Sequence, residues 1–129
     1  MSNNYGYIYL ISFDDTNDIY IGKTIQSIKR RFQAHIKDKE SSVCQHLKKN
    51  PNIKKVNIEI IDSIDMDEDL SFLNGEYDKY NCNLANFRLS VLEEFYINKY
   101  KENKEYNVIN KRGFYYNIKM YEQLFPKRV

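Results

Sequence analysis

The sequence predicts an α/β (α+β) fold, a small sandwich whose central three-stranded, mainly antiparallel sheet is flanked by helices. Three observations predict it. Residues 7–12 and 19–22 are two short runs dense in Ile and Tyr, separated by a cluster of Asp, Thr and Asn. In a third run, Val56, Ile58 and Ile60 alternate with Asn57 and Glu59, the two-residue period of a strand. Elsewhere the apolar residues fall three and four apart, as on a helix.

Taken in order, residues 7–12 form the first strand and 19–22 the second. Asp14-Asp15-Thr16-Asn17-Asp18 is turn chemistry, so the two strands close as an antiparallel hairpin. Ser27 can cap a helix running to about Lys39, whose apolar stripe is Ile28, Phe32 and Ile36. Ser42 starts another helix, through about Lys48, which Asn50-Pro51-Asn52 breaks. The third strand follows, then an acidic stretch over 62–69 and a segment, 70–83, with no clear period. A long helix is expected from about Asn83 to Lys101. Residues 106–129 form a mixed tail with aromatic anchors.

The length, 129 residues, is that of one domain spanning 1–129. Hydrophobic residues at 42% and charged residues at 29% permit a packed core. A net charge of +2 excludes a polybasic protein that holds nucleic acid by bulk charge alone. No apolar run approaches the ~20 residues of a membrane helix, and the N-terminus lacks a signal pattern, so no membrane association is expected. Cys44 and Cys82 lack the spacing of a zinc site or disulfide framework. The expected location is intracellular, cytoplasm or nucleus. Tyrosine occurs 12 times and tryptophan never. Asn, Ile and Lys are equally over-used, which points to AT-rich codons, so position rather than number must decide which tyrosines matter. The charge is uneven: residues 23–55 hold ten Lys or Arg against Asp38 and Glu40, whereas residues 62–78 hold seven acidic residues and no basic one. A basic region suited to phosphates is thus concealed by a near-neutral total.

If hairpin partners sum to 31, Tyr9 faces Gly22 and Tyr20 faces Ile11, which puts both phenols on one face of the sheet. Gly22 would leave space beside the Tyr9 ring. By themselves these tyrosines equally fit an aromatic core. On the first helix Arg31 and His35 are four apart and flank the apolar stripe. On the long helix Glu93 shares a side with Leu89, Tyr96, Ile97 and Tyr100, whereas Glu94 shares one with Ser90, Asn98 and Lys101. Glu94 is therefore expected in solvent, and Glu93 among apolar neighbours, where a carboxylate needs a cation or Arg31 beside it. Lys23 is a flexible cation near the phenols.

Tyr7-Ile8-Tyr9 followed by Tyr20-Ile21-Gly22 resembles the two signature strands of the GIY-YIG nuclease superfamily. Tyr7 stands where the family has its first glycine, and Gly6 comes one residue earlier. The resemblance continues through Gly22-Lys23-Thr24, the Arg-x-x-x-His pair Arg31 and His35, Glu93 with Phe95, Tyr96 and Ile97 behind it, and Tyr106-Asn107. It spans residues 6 to about 110, in the family's order, with 65–86 as an insertion beyond the family core and 113–129 as a C-terminal tail. That tail either docks on the core or extends a DNA track through Lys111, Arg112, Lys119, Lys127 and Arg128.

The resemblance implies a GIY-YIG-like sandwich and a metal-dependent DNA endonuclease. It implies Glu93 as the ligand of one Mg²⁺ (or Mn²⁺), Tyr9 as general base with Tyr20 and His35 assisting, and Arg31 on the phosphate. Asn107 would help order the site or contact the phosphate. Lys23, Arg31 and the cation are expected to favour the phenolate of Tyr9. The alternatives are a catalytically weak nucleic-acid-binding module of the same fold and a plain interaction domain. The implied partner is DNA, with specificity from a protein partner or a homodimer, and a virus or mobile element would be a fitting source.

Overall fold

β1 (Tyr5–Phe13) and β2 (Asp18–Thr24) are runs of Ile, Leu and Tyr, side chains that suit a pleated, half-buried surface. They pair antiparallel, and the register joins Tyr9 to Gly22 and Ile11 to Tyr20, as expected. In the turn between them Asp15 takes a left-handed φ of 62°, which a short polar side chain tolerates. Thr16 donates both its N–H and its hydroxyl to the Phe13 carbonyl. The computed structural model of the protein describes residues 4–77, 79, 84–111 and 117–128. Cys82, the expected helix start at Asn83, Arg112 and residues 113–116 lie outside the described residues.

α1 (Ile28–Lys37) begins at Ser27, whose hydroxyl accepts the Arg30 N–H at 3.2 Å. α2 (Ser42–Lys49) begins at Ser41, whose hydroxyl accepts the Val43 N–H at 3.2 Å. Each hydroxyl satisfies one of the N–H groups a helix start leaves unpaired. β3 (Val56–Asp65) pairs antiparallel with the other side of β1, with a register shift between Ile8 and Tyr9. Ile61 is the extra residue of this bulge, so the alternation changes parity there. Val56 and Ile58 pack with Tyr9, Ile11 and Phe13, whereas Ile61 and Ile64 pack with Ile8 and Leu10. Ile60, on the expected stripe, is left half exposed.

α3 (Leu84–Glu102) leads into β4 (Asn107–Val108), which pairs in parallel with β2 at Asp18 and Ile19. The sheet is therefore four-stranded and mixed, in the order β3-β1-β2-β4, which corrects the expected three strands. β4 escapes sequence periodicity because it is two residues long. Its bonds are the Asn107 N–H to the Asn17 carbonyl and the Ile109 N–H to the Ile19 carbonyl, both 2.9 Å.

The sheet face of Tyr9, Ile11 and Phe13 is covered by α1 and α2 through Ile28, Phe32, Val43 and Leu47. The face of Ile8, Leu10 and Ile21 is covered by α3 and by α4 (Ile118–Leu124). Gly6 lets α3 come close, since a Cβ there would press on Leu89 Cδ2 and Met66 Sδ at 2.8 Å. α3 packs against β1, β2, β4 and α4, so its far side is covered too. Glu94, expected in solvent, is 6% exposed. A surface helix has one covered face, whereas α3 is covered on more than one side.

The segment after β3 carries a 3₁₀ turn (Ser71–Leu73) and sends Leu73 and Tyr77 into the core. The described part of the tail also docks: Tyr121, Leu124 and Phe125 are buried, and Arg128, in a final 3₁₀ turn (Pro126–Arg128), pairs with Asp62. Among the described residues no helix is long and apolar enough to cross a membrane.

Leu124 is fully buried against α3 and the sheet. Leu124→Ala should cost about 2–5 kcal/mol in urea unfolding. A loss below about 1 kcal/mol would show that α4 is not part of this core.

Candidate active site

Tyr9 faces Gly22 across the hairpin, and a Cβ at residue 22 would overlap the Tyr9 Cζ and Oη atoms. The ring thus fills the space that any larger residue would occupy. Its buried oxygen lies 2.5 Å from His35 Nε2 and accepts the Arg31 Nε–H at 3.2 Å. Both partners come from α1, one turn apart, which is why a helix capped at Ser27 matters to the site. His35 is 4% exposed, and its Nδ1 lies 2.9 Å from Ser41 Oγ. The Tyr20 ring stands 5.0 Å from the His35 ring, edge-on, and 6.5 Å from the Tyr9 ring.

The second half of the site lies along the outer edge of β2. β4 covers only Asp18 and Ile19. Beyond it the Asn110 side chain acts as a substitute strand: its Oδ1 accepts the Ile21 N–H at 3.0 Å and its Nδ2 donates to the Ile21 carbonyl at 2.6 Å. Next along this edge, the Lys23 backbone and charge face the Glu93 carboxylate and favour its ionised form. Buried backbone groups need such partners, and meeting the need draws the β4 segment to the edge that α3 also packs against. The result is a cleft of about 450 Å³ lined by Tyr20, Glu93 and Asn110, with Glu40, Ser42, Gln45 and Lys111 around them. Lys111 Nζ donates to Gln45 Oε1 at 2.6 Å across it.

Burial dominates the electrostatics. It pushes the Glu93 carboxyl up to about 7, against the pull of the Lys23 and Arg31 charges and with a smaller push from Glu94. It also raises Tyr9 and Tyr20, and for Tyr9 it outweighs the hydrogen bond and charge of Arg31. Arg31 favours the phenolates, as expected, but the expected net lowering is corrected: burial outweighs it and raises both phenols above their ordinary value. His35 is pushed down to about 4, first by burial and then by Arg31, so its ring is neutral. A neutral imidazole accepts at one nitrogen and donates at the other.

The fold therefore brings together Tyr9, Tyr20, Lys23, Arg31, His35 and Glu93. It does not bring Asn107. That side chain is exposed and donates to Asp18 Oδ1 at 2.8 Å, near the hairpin turn and four residues, roughly 13 Å of strand, from Gly22. Asn110 occupies the cleft instead. The two asparagines are three apart, and only the register of β4 decides between them. Ser41, Glu40, Gln45 and Lys111 carry no local signal of their proximity to the phenols, because they reach the site from other elements.

Among the described residues no three His, Cys, Asp or Glu side chains converge on one point. A cation here would rest on the Glu93 carboxylate, waters and substrate oxygens. Mg²⁺ and Mn²⁺ tolerate such a donor set, Mg²⁺ because it sheds water reluctantly. A carboxylate held near 7 by burial is a group whose charge a cation would compensate. A second cleft of about 720 Å³ lies away from this chemistry, beside Arg88 and Arg128. Those arginines already pair with Glu68 and Asp62.

A family model described as the GIY-YIG catalytic domain matches residues 5–117, most of the chain. No curated protein and no solved structure matches it.

Two outcomes follow from the geometry. Gly22→Ala should force the Tyr9 ring off its place and break its bonds to His35 and Arg31. A structure of that variant with the phenol still on His35 would refute the crowding argument. The second concerns acid. The folded protein binds fewer protons than the unfolded chain between pH 6.5, the ordinary histidine value, and about 4. Stability from this group is therefore full above 6.5 and falls as pH drops through that window, by on the order of 3 kcal/mol. His35→Gln should flatten the dependence of unfolding free energy on pH there; a slope parallel to wild type would contradict it.

Proposed function

The chain belongs to the GIY-YIG nuclease family, and from that premise we propose that it is an endonuclease hydrolysing DNA phosphodiester bonds with one divalent cation, Mg²⁺ or Mn²⁺. The observation that carries this reading is the meeting, beside β2, of a phenol–imidazole–guanidinium network with the half-buried Glu93 carboxylate. Each piece answers one need of the reaction: an activated water, a neutralised phosphate and support for the departing oxygen.

Glu93 would hold the cation. A bound cation supplies Lewis acidity to the phosphate and steadies the leaving oxygen. Arg31 is the fork of donors for the phosphate charge. At rest its Nε–H sits on the Tyr9 oxygen, and Tyr9 is 0% exposed. Water therefore reaches Tyr9 once Arg31 has turned to the phosphate. Tyr9 then takes a proton from water as its own proton passes to His35 Nε2. No free phenolate accumulates, in keeping with a raised phenol and a neutral imidazole. Tyr20 lines the cleft and orients the water, and Lys23 adds positive charge beside Glu93. Asn110, rather than Asn107, holds the β2 edge. Lys29, Arg30 and Lys37, exposed on α1, provide weak and salt-sensitive contacts to the DNA backbone. Sequence specificity would come from a protein partner or a second copy.

The complete burial of Tyr9 favours one other reading, a nucleic-acid-binding module with little or no hydrolysis. Nicking of supercoiled DNA with Mg²⁺ or Mn²⁺ separates the two. Tyr9→Phe should lower the rate about 10²- to 10⁴-fold, the usual range for a lost acid–base group, while DNA binding persists. Glu93→Gln should abolish the metal dependence and leave a salt-dependent gel shift. A gel shift by wild type without any nicking supports the binding module, and Tyr9→Phe cleaving at the wild-type rate removes Tyr9 from the chemistry.

A further inference from the structure

His35 can serve Tyr9 in only one of its two neutral forms. The Tyr9 oxygen already receives the Arg31 Nε–H. If His35 Nε2 also carried a proton, two donors would point at one phenol whose own O–H, fully buried, would lack the acceptor His35 provides. An unsatisfied buried hydroxyl is costly. With the proton on Nδ1, Nε2 offers its lone pair to the Tyr9 O–H, and Nδ1 needs an acceptor of its own.

That acceptor is Ser41 Oγ, 2.9 Å away. It is fixed by a second bond, because the same oxygen accepts the Val43 N–H as the N-cap of α2. The Ser41 backbone N–H is also held, by the Asp38 carbonyl at 3.0 Å. Around His35 stand Arg31 on its own helix, Asp38 at that helix's end, and Tyr9 and Tyr20 from the sheet. Among these groups and Ser41, only the serine is within hydrogen-bond reach of Nδ1 among the described contacts.

We propose that Ser41 is a positioning residue, which accepts the His35 Nδ1–H and so fixes the tautomer whose bare Nε2 receives the Tyr9 proton. The arrangement suits both ends of the transfer. Before it, Nδ1–H donates to Ser41 and Nε2 accepts from Tyr9. After it, the imidazolium donates from both nitrogens, to Ser41 and to the Tyr9 oxygen, and Ser41 has not moved. A nucleophile or base oriented through a third group is a general device, and here the third group is a neutral hydroxyl tied to a helix start. α2, which lies outside the signature strands, thereby acquires a part in the chemistry. The role in turnover rests on the hydrolysis proposed above; the tautomer assignment does not.

The test has two arms so that the two claims fail separately. Nitrogen-15 NMR of labelled histidine, with His46→Gln to assign the signals, reads the tautomer of His35. Wild type should show a single Nδ1–H form. Ser41→Gly removes the hydroxyl while keeping a residue that N-caps nearly as well as serine, and it should produce a mixture of forms. In the nicking assay it should lower kcat about 10- to 100-fold, the scale of lost orienting partners, with KM for DNA within twofold. Ser41→Asp keeps both cap and acceptor, so it should restore the Nδ1–H form and move the acid limb of the kcat profile to higher pH by stabilising the imidazolium. An Nε2–H wild type, or a Ser41→Gly protein with the wild-type tautomer, overturns the proposal. A wild type that never nicks DNA defeats the hydrolysis reading and leaves the NMR arm to decide the tautomer.

Discussion

The Tyr9 ring lies where a side chain at residue 22 would be, and the site is arranged around that close approach. A pleated strand normally separates facing side chains by pairing one against another. Here one partner is missing, so the phenol crosses the hairpin and reaches the α1 groups His35 and Arg31. Those two can meet it because Ser27 starts α1 at the right turn, and because Ser41 starts α2 beside the imidazole. A glycine, two helix caps and one hairpin register thus determine a hydrogen-bonded cluster drawn from three elements, β1, α1 and the start of α2.

The outer edge of β2 imposes a second demand. An unpaired strand edge leaves backbone donors and acceptors open. In this protein β4 answers at two residues and the Asn110 amide answers at Ile21. Completing the sheet therefore delivers an amide to the place where Tyr20 opens onto a cleft, and α3, packed on the same strand, brings the Glu93 carboxylate there.

Burial and charge oppose each other there, and burial prevails. Arg31 and Lys23 would stabilise anions, yet the phenols and Glu93 are all pushed toward their neutral forms, and His35 is kept uncharged. A site of this kind holds its groups ready but undercharged. A phosphate and a cation would supply the charges that complete it, which links substrate arrival to the change in protonation.

Much of this was legible in the sequence because it is local. The hairpin follows from two Ile/Tyr runs around a turn cluster and the Arg31–His35 pair from helical geometry, while the hairpin register, assumed from the sequence, is the one the structure has. The two sides of Glu93 and Glu94 were only half legible: periodicity separates the faces of a helix but does not reveal that α4 and β4 cover a second one. A two-residue strand has no period to detect, so β4, and with it the exchange of Asn107 for Asn110, stayed hidden. Ser41 reads as an ordinary helix start until α2 is laid against α1. By itself the sequence determined the hairpin, the third strand, the first two helices, the long helix and the family resemblance, since each depends on residues near one another or in fixed order. Tertiary structure alone decided which asparagine finishes the β2 edge, that Tyr9 is fully and Glu93 partly buried, and which hydroxyl meets His35. Those depend on distances between elements far apart in the chain, and burial, which sets the protonation states, is a property of the packed whole.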